Sequence, residues 1–225
     1  MRKPTVRKPI RRNAAITRDR VLKAAIAEFC RHGYDGTRMG RVAKRSGSNI
    51  RMVYHYFIGK ERLYLAVLEH IYAEVRSKEA ALNLRDHDPM DGMLTLVNFT
   101  FDHLVDHPEF IELIRNENLL RGRYVKKSKF VAKAALHLVD AIRDLLRRGV
   151  RAGVFHPGID PIQLYVSILS LCFIHLSNRY TLSIMFRKDL AERRWLNQRR
   201  RHVREFVENS LTNGLRRRKA VRKQL

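Results

Sequence analysis

Between residues 48 and 60 the chain sets out Ser48, Asn49, Arg51, Tyr54, His55, Tyr56 and Lys60 with no acidic residue among them. Those side chains donate and accept hydrogen bonds or carry positive charge, which suits recognition of a polyanion rather than bond-making. A guanidinium can fork onto O6 and N7 of guanine, and amides and hydroxyls can read base edges. Phenols and an ammonium group can hold phosphates, which fix register without reading sequence. Arg51 is the leading residue for base readout, with a phosphate contact as its alternative. Tyr54 and Tyr56, two apart, cannot share one helix face, so one can pack inward while the other reaches out.

Catalytic patterns are missing. No P-loop, G-x-G-x-x-G, G-x-S-x-G or H-E-x-x-H occurs, so neither an enzyme nor a cofactor is expected. His103 and His107 are spaced for chelation, but no cysteine lies near and Pro108 follows. No metal is expected there.

Composition points the same way. The 225 residues carry 46 Lys and Arg against 22 Asp and Glu, a formal charge of +24. Such an excess implies nucleic acid or an anionic surface as partner. The most apolar stretch, Ile162 to Ile174, is too short to span a bilayer, so no membrane is expected. Cys30 and Cys172 read as buried thiols of a reducing cytoplasm. The N-terminal MRKPTVRKPIRR has no apolar run behind it and does not read as a secretory signal.

The elements that must position these groups are helices. Residues 1–16 read as a basic flexible arm. Val21, Leu22, Ala25, Ile26 and Phe29 then recur at helical spacing until Gly33, predicting a first helix over about 17–32. Thr37 stands where an N-cap would, opening a helix to Arg45. A Ser46-Gly47-Ser48 turn with a capping serine leads into a short helix over 49–56. Asp88-Pro89 and Asp160-Pro161 each set a capping carboxylate before a first-turn proline. No period-2 run calls for a strand. The expected fold is all-α: a three-helix helix-turn-helix head over 17–62, a helical body over 63–214 and a basic tail over 215–225.

Within that frame the residues resemble the TetR (tetracycline-repressor-like) family. The resemblance rests on Phe29, Gly33-Tyr34, the run from Thr37 to Gly47, Tyr54-His-Tyr-Phe57 and Lys60-Glu-Arg-Leu63. In the body it rests on His107-Pro-Glu-Phe110, Glu117-Asn118, Gly153-Val-Phe155 and Ser177-Asn-Arg-Tyr180. It implies phosphate contacts from Thr37, Tyr54, Tyr56 and Lys60, and base contacts from Ser48, Asn49, Ile50, Arg51 and Met52. Arg38 and His55 complete the expected DNA face. Arg at position 51, Ile58 after the Phe, and the His55-Tyr56 order depart from the common pattern, so no operator sequence is carried over. The resemblance also implies a dimer through helices near 161–186 and 197–214.

The residues of the body support a partner subunit. From Leu164 to Phe186 the chain is apolar almost all round, and such a helix must be covered on every side. Leu164, Ile168, Leu171, Val203, Phe206, Val207 and Leu211 are the expected dimer interface, two helices from each copy forming a bundle. Polar residues inside otherwise apolar helices (His103, Asn116, Asn118, Tyr124, His137, Ser170, His175 and Asn178) are either walls of a ligand pocket or ordinary core and surface groups. The expected function is a cytoplasmic repressor that binds a palindromic double-stranded DNA operator as a homodimer and is released by a small-molecule effector. A nonspecific architectural DNA binder is the competing reading.

Overall fold

The computed structural model describes the backbone of residues 9–222 and the side chains of residues 14–212. Ten α-helices follow in order: α1 (Pro9–Gly36), α2 (Met39–Ser46), α3 (Ile50–Phe57), α4 (Lys60–Ala80), α5 (Pro89–Asp106), α6 (Pro108–Leu119), α7 (Lys129–Arg151), α8 (Pro161–Ser177), α9 (Arg179–Phe186) and α10 (Arg193–Arg222). No strand occurs among the described residues. Helix α1 starts at Pro9, well before the expected Thr17. Proline is preorganised for a first turn, and Arg and Ala have high intrinsic helix propensity. The remainder of the expected arm, residues 1–8, and the end of the expected tail, 223–225, lie outside the described residues.

The chain divides into two compact units. The first joins residues up to Ile71 with the returning segment Glu112–Ser128; the second holds Tyr72–Ile111 and everything from Lys129 onward. This differs from a boundary at 62, because the return of α6 carries its own anchors. Asn116 donates to the Phe29 carbonyl at 3.2 Å. Tyr124 packs against Tyr34 and Tyr64 with ring centroids 4.5 and 5.2 Å apart.

The first unit forms because α1, α2, α3 and the start of α4 each turn a narrow apolar stripe inward. Val21, Ala25, Phe29, Val42, Val53, Phe57, Leu63 and Val67 are all buried. Gly33 interrupts α1 at φ +64, ψ −176, a conformation open to glycine. Gly47 closes α2 in the left-handed region and returns its N–H to Ala43 and Lys44.

The second unit packs α5, α7, α8 and α10 around Met93, Leu96, Phe101, Leu138, Ile142, Leu145, Phe155, Ile168, Cys172, Val203, Val207 and Leu211. A Cβ at Gly149 would fall 2.0 Å from the Phe155 ring, so only a bare backbone lets that ring close onto α7. Cys172 is buried as expected, whereas Cys30 is only half-buried.

Two expectations are corrected here. The apolar run from 161 to 186 is not one helix, for α8 and α9 meet at a 75° bend beside Asn178. There the Asn178 amide donates to the Ile174 carbonyl and competes with continued helix. Of the residues expected to form the dimer interface, Leu164, Ile168, Val203, Val207 and Leu211 lie inside the chain's own core; Leu171 is half-buried and Phe206 is exposed. The helices are covered mainly by each other, because a four-helix core is thick enough to hide one face of each.

Ile58 links α3 to α4 at φ +62, and Gly59 donates to the Phe57 carbonyl across it, a tight γ-type turn. A β-branched residue there is strained, and its side chain, 80% exposed, gains no packing in return. Ile58→Gly is therefore expected to stabilise the chain by up to about 1 kcal/mol, strain release outweighing glycine's added unfolded-state entropy. A lower midpoint in thermal or urea unfolding would refute the strain.

Candidate nucleic-acid interface

The head's exposed face is cationic and its hidden face apolar. On α3, Val53 and Phe57 are buried, while Ile50, Arg51, Met52, Tyr54 and His55 are exposed and Tyr56 is half-buried against the His55 ring. The helix is eight residues long, a rod whose first turn projects freely. Arg38, Lys44 and Arg45 are exposed beside it.

Its N-cap is Asn49, whose side chain accepts from the Arg51 N–H at 2.9 Å. The capping residue is thus Asn49 rather than a serine, since the Ser48 hydroxyl turns back toward the Ser46 carbonyl. Asn49 spends its acceptor on the backbone and keeps its amide N–H groups for a base or phosphate.

Thr37 departs most from expectation. Its side chain is 2% exposed, and its hydroxyl reaches the Gly33 and Glu28 carbonyls at 2.7 and 3.0 Å. The cap position of α2 belongs to Arg38, which makes no side-chain cap bond. Thr37 therefore fixes the corner between α1 and α2 and offers no free hydroxyl to a phosphate.

Beneath that corner lies Glu28, 4% exposed. Its two oxygens accept from Arg41 Nε at 2.9 Å and Arg45 Nε at 3.1 Å, tying α2 to α1 at both turns. Burial opposes its ionisation, but the bonds and charges of Arg41 and Arg45 prevail and hold its pKa below the usual carboxylate value. A depressed carboxyl stabilises fully above its unfolded pKa, about 4.3, and the contribution fades as pH falls through the lower folded value. Nothing in the sequence singled out Glu28; the available signal was two arginines four apart on α2 facing an acid in α1.

Lys60 also has a partner. Its ammonium donates to the Asp35 carbonyl at 3.1 Å and sits 4.7 Å above the Tyr34 ring. Burial lowers its pKa. It staples the start of α4 to the end of α1, and a phosphate would have to share it.

The eight polar residues expected to line a pocket are scattered. Asn116 and Tyr124 anchor the first unit as above, and Asn118 bonds the Ile114 carbonyl from an exposed position. Ser170 and Asn178 bond carbonyls of their own helix. His103 is a core histidine, its ring 4.3 Å from His107 and its pKa lowered to about 4 by burial and then by that neighbour. His137 lines a cavity of about 750 Å³ bounded by the last turns of α4 and by α7. Its wall includes Arg76, Asp140 and Glu79, the last pushed up to about 7 by burial against the pull of Arg76. His175 lines a smaller, second cavity.

Comparison with known proteins agrees with this geometry. Residues 21–67 match the profile of bacterial regulatory proteins of the tetR family, and residues 89–207 match a tetracyclin repressor-like C-terminal domain. The HTH-type transcriptional repressor NicS of Pseudomonas putida is 37% identical over 205 residues, covering 89% of this chain and 93% of that one. A transcriptional repressor of Streptomyces coelicolor is 29% identical over 146 residues, 62% of this chain and 69% of its own. A transcriptional regulator from the same organism has a crystal structure that superposes with a TM-score of 0.66 at 26% identity, over 87% of this chain and 98% of that one.

Arg51 stands free at the start of α3, whereas Arg41 is held by Glu28. Arg51→Ala is expected to cost about 1–3 kcal/mol on the preferred duplex and to relax preference at one base pair. Competition binding across single-base operator variants checks this. Uniform weakening on every sequence, with a salt slope reduced by about 0.9, would make Arg51 a phosphate contact instead.

Proposed function

The chain belongs to the TetR family of bacterial regulatory proteins and is a DNA-binding transcriptional regulator, and from that premise we propose a dimeric repressor, released from a palindromic operator by a small molecule. The observation that carries the proposal is α3: apolar side chains inward, Asn49 capping, and Ile50, Arg51, Met52 and Tyr54 standing clear of the fold. Ser48, Asn49, Ile50, Arg51 and Met52 read bases. Arg38, Tyr54, His55 and Tyr56, with Lys60 where it can be shared, hold phosphates. Thr37 acts from behind.

A second copy supplies what one head lacks. Ile162, Val166 and Ile174 lie exposed at four- and eight-residue spacings on α8, with Phe206 exposed on α10. An apolar stripe of that kind favours burial against its own symmetry mate. Two heads about 34–36 Å apart then meet successive major grooves. An effector in the cavity beside His137 would act by favouring a body conformation in which that spacing is wrong. The expected division into a DNA-reading part over 17–62 and an effector and dimer part over 63–214 is retained in this functional sense.

The charge of +24 favours a second reading, nonspecific DNA coating. The two separate on salt-matched binding to genomic fragments, where a repressor prefers its site by about 10³ or more and a coating protein shows near parity.

Light scattering with operator titration tests the dimer. Val166→Glu, on a surface that a single chain leaves open, is expected to keep the helical spectrum, run as a monomer and lose roughly 10²-fold or more in operator affinity as paired half-site binding disappears. A V166E protein that stays dimeric and binds unchanged would overturn this assignment.

A further inference from the structure

The loop that joins α6 to α7, residues 120–128, lies wholly in the first unit, together with α2 and α3. It carries Arg121, Arg123, Lys126 and Lys127 and no acid. All four are exposed. Lys127 spends its charge on Glu61 at 2.5 Å, and the Arg123 guanidinium lies over the Tyr124 ring, 5.5 Å from its centroid. Among the described residues no acid pairs with Arg121, Arg123 or Lys126.

A basic surface loop is ordinarily a solvated one, but this loop is pinned along its length. The buried Glu117 carboxylate accepts from the Tyr124 and Val125 N–H groups at 2.6 and 2.9 Å, and Gly122 donates to the Glu117 carbonyl. Tyr124 is buried between Tyr34 and Tyr64, and the Ser128 hydroxyl donates to Glu69 at 2.6 Å. Arg121 and Gly122 both stand in the left-handed region, at φ +55 and +69. An arginine is uncommon there, and such backbone persists only where its surroundings fix it. The ordering cost of the loop is met in folding, so a polyanion that binds it does not meet that cost again.

The anchors also set where the cations stand. The Tyr124 ring lies 4.5 Å from Tyr34, and the Lys60 ammonium sits 4.7 Å above that same Tyr34 ring from its other neighbour, α4. Lys127 ties the loop to Glu61, the next residue of α4. Lys60, Arg62, Arg121, Arg123 and Lys126 are thus gathered at the start of α4, against the exposed acids Asp35 and Glu61. We propose that the 120–128 loop is a second phosphate-contacting element of the head. Arg121, Arg123 and Lys126 neutralise backbone phosphates of the duplex beside Lys60, and read no sequence. The proposal rests on the chain's binding to DNA; the Arg51→Ala series is decided by base preference and the loop by salt dependence, so the two stand or fall separately.

Salt titration of the full chain on a random-sequence duplex, and on the genomic fragment it prefers, tests this. Lys126→Gln alters a side chain that anchors nothing in the fold, and is expected to make the slope of log affinity against log salt shallower by about 0.9. The triple variant R121Q/R123Q/K126Q should lose about 0.9 for each contact removed, weakening both DNAs by the same factor. The charge-preserving R121K/R123K/K126R should keep the parental slope. Arg193, Arg194 and Arg201 are exposed on α10, and R193Q/R194Q/R201Q, which removes the same charge there, should keep it too. A parental slope in K126Q and in the triple variant overturns the proposal. So does an equal change in the α10 control, which would make the effect one of net charge, or a loss confined to the preferred fragment, which would make it base readout.

Discussion

Glu28 is a buried carboxylate in a head whose outer surface is cationic, and the placement of α2 on α1 follows from it. Taken alone, an ionised carboxylate in that position would be strongly unfavourable. Held by Arg41 and Arg45, it becomes a two-point clamp, and Thr37 closes the same corner by bonding the Glu28 and Gly33 carbonyls. Removing one partner of such a cluster costs more than the bond itself contributes, because the other charge stays behind. The arginines are partly solvated, which puts the clamp at the lower end of that range. Helix α3 inherits its direction from α2 through Gly47, so the exposed face proposed to read DNA depends on a buried group behind it.

The excess of cations that suits a polyanionic partner also repels itself within the folded chain. In the first unit two acids hold cationic elements together: Glu28 with two arginines and Glu61 with Lys127. In the second, Asp144 binds Arg147 and Arg148, and Arg148 in turn bonds the Leu84 and His87 carbonyls. The α3 face is left with no such partner. Uncompensated charge is therefore left on the face proposed to meet a phosphate backbone.

Much of this was legible in the residues. Asp160-Pro161 opens α8 with the Asp160 carboxylate accepting from Gln163, Gly47 closes α2 as expected, and Gly33 breaks the helical geometry of α1 where its end was expected, although the helix resumes to Gly36. On α3 Val53 and Phe57 are buried as their spacing suggests, but Ile50 and Met52, either of which could have been an inner position, are both exposed. What was not legible depends on partners distant in sequence. Thr37 has the side chain of a cap, yet the Glu28 and Gly33 carbonyls bid for its hydroxyl from α1. Asn116 and Tyr124 look like pocket residues until the chain folds back and gives them Phe29, Tyr34 and Tyr64. Leu164 and Ile168 read as interface because apolar periodicity reports that a face is covered without saying by what. In each case the local pattern was sound and a tertiary neighbour decided its use.

The most direct test of the central claim is the operator affinity of Glu28→Gln, measured by fluorescence anisotropy at fixed salt on the full chain. Glutamine keeps the shape and loses the charge that orders Arg41 and Arg45. The account predicts weaker binding on the operator by about tenfold or more, the scale of one lost charge-assisted bond, with helical content retained. An E28Q protein that binds its operator as tightly as the parent would contradict it.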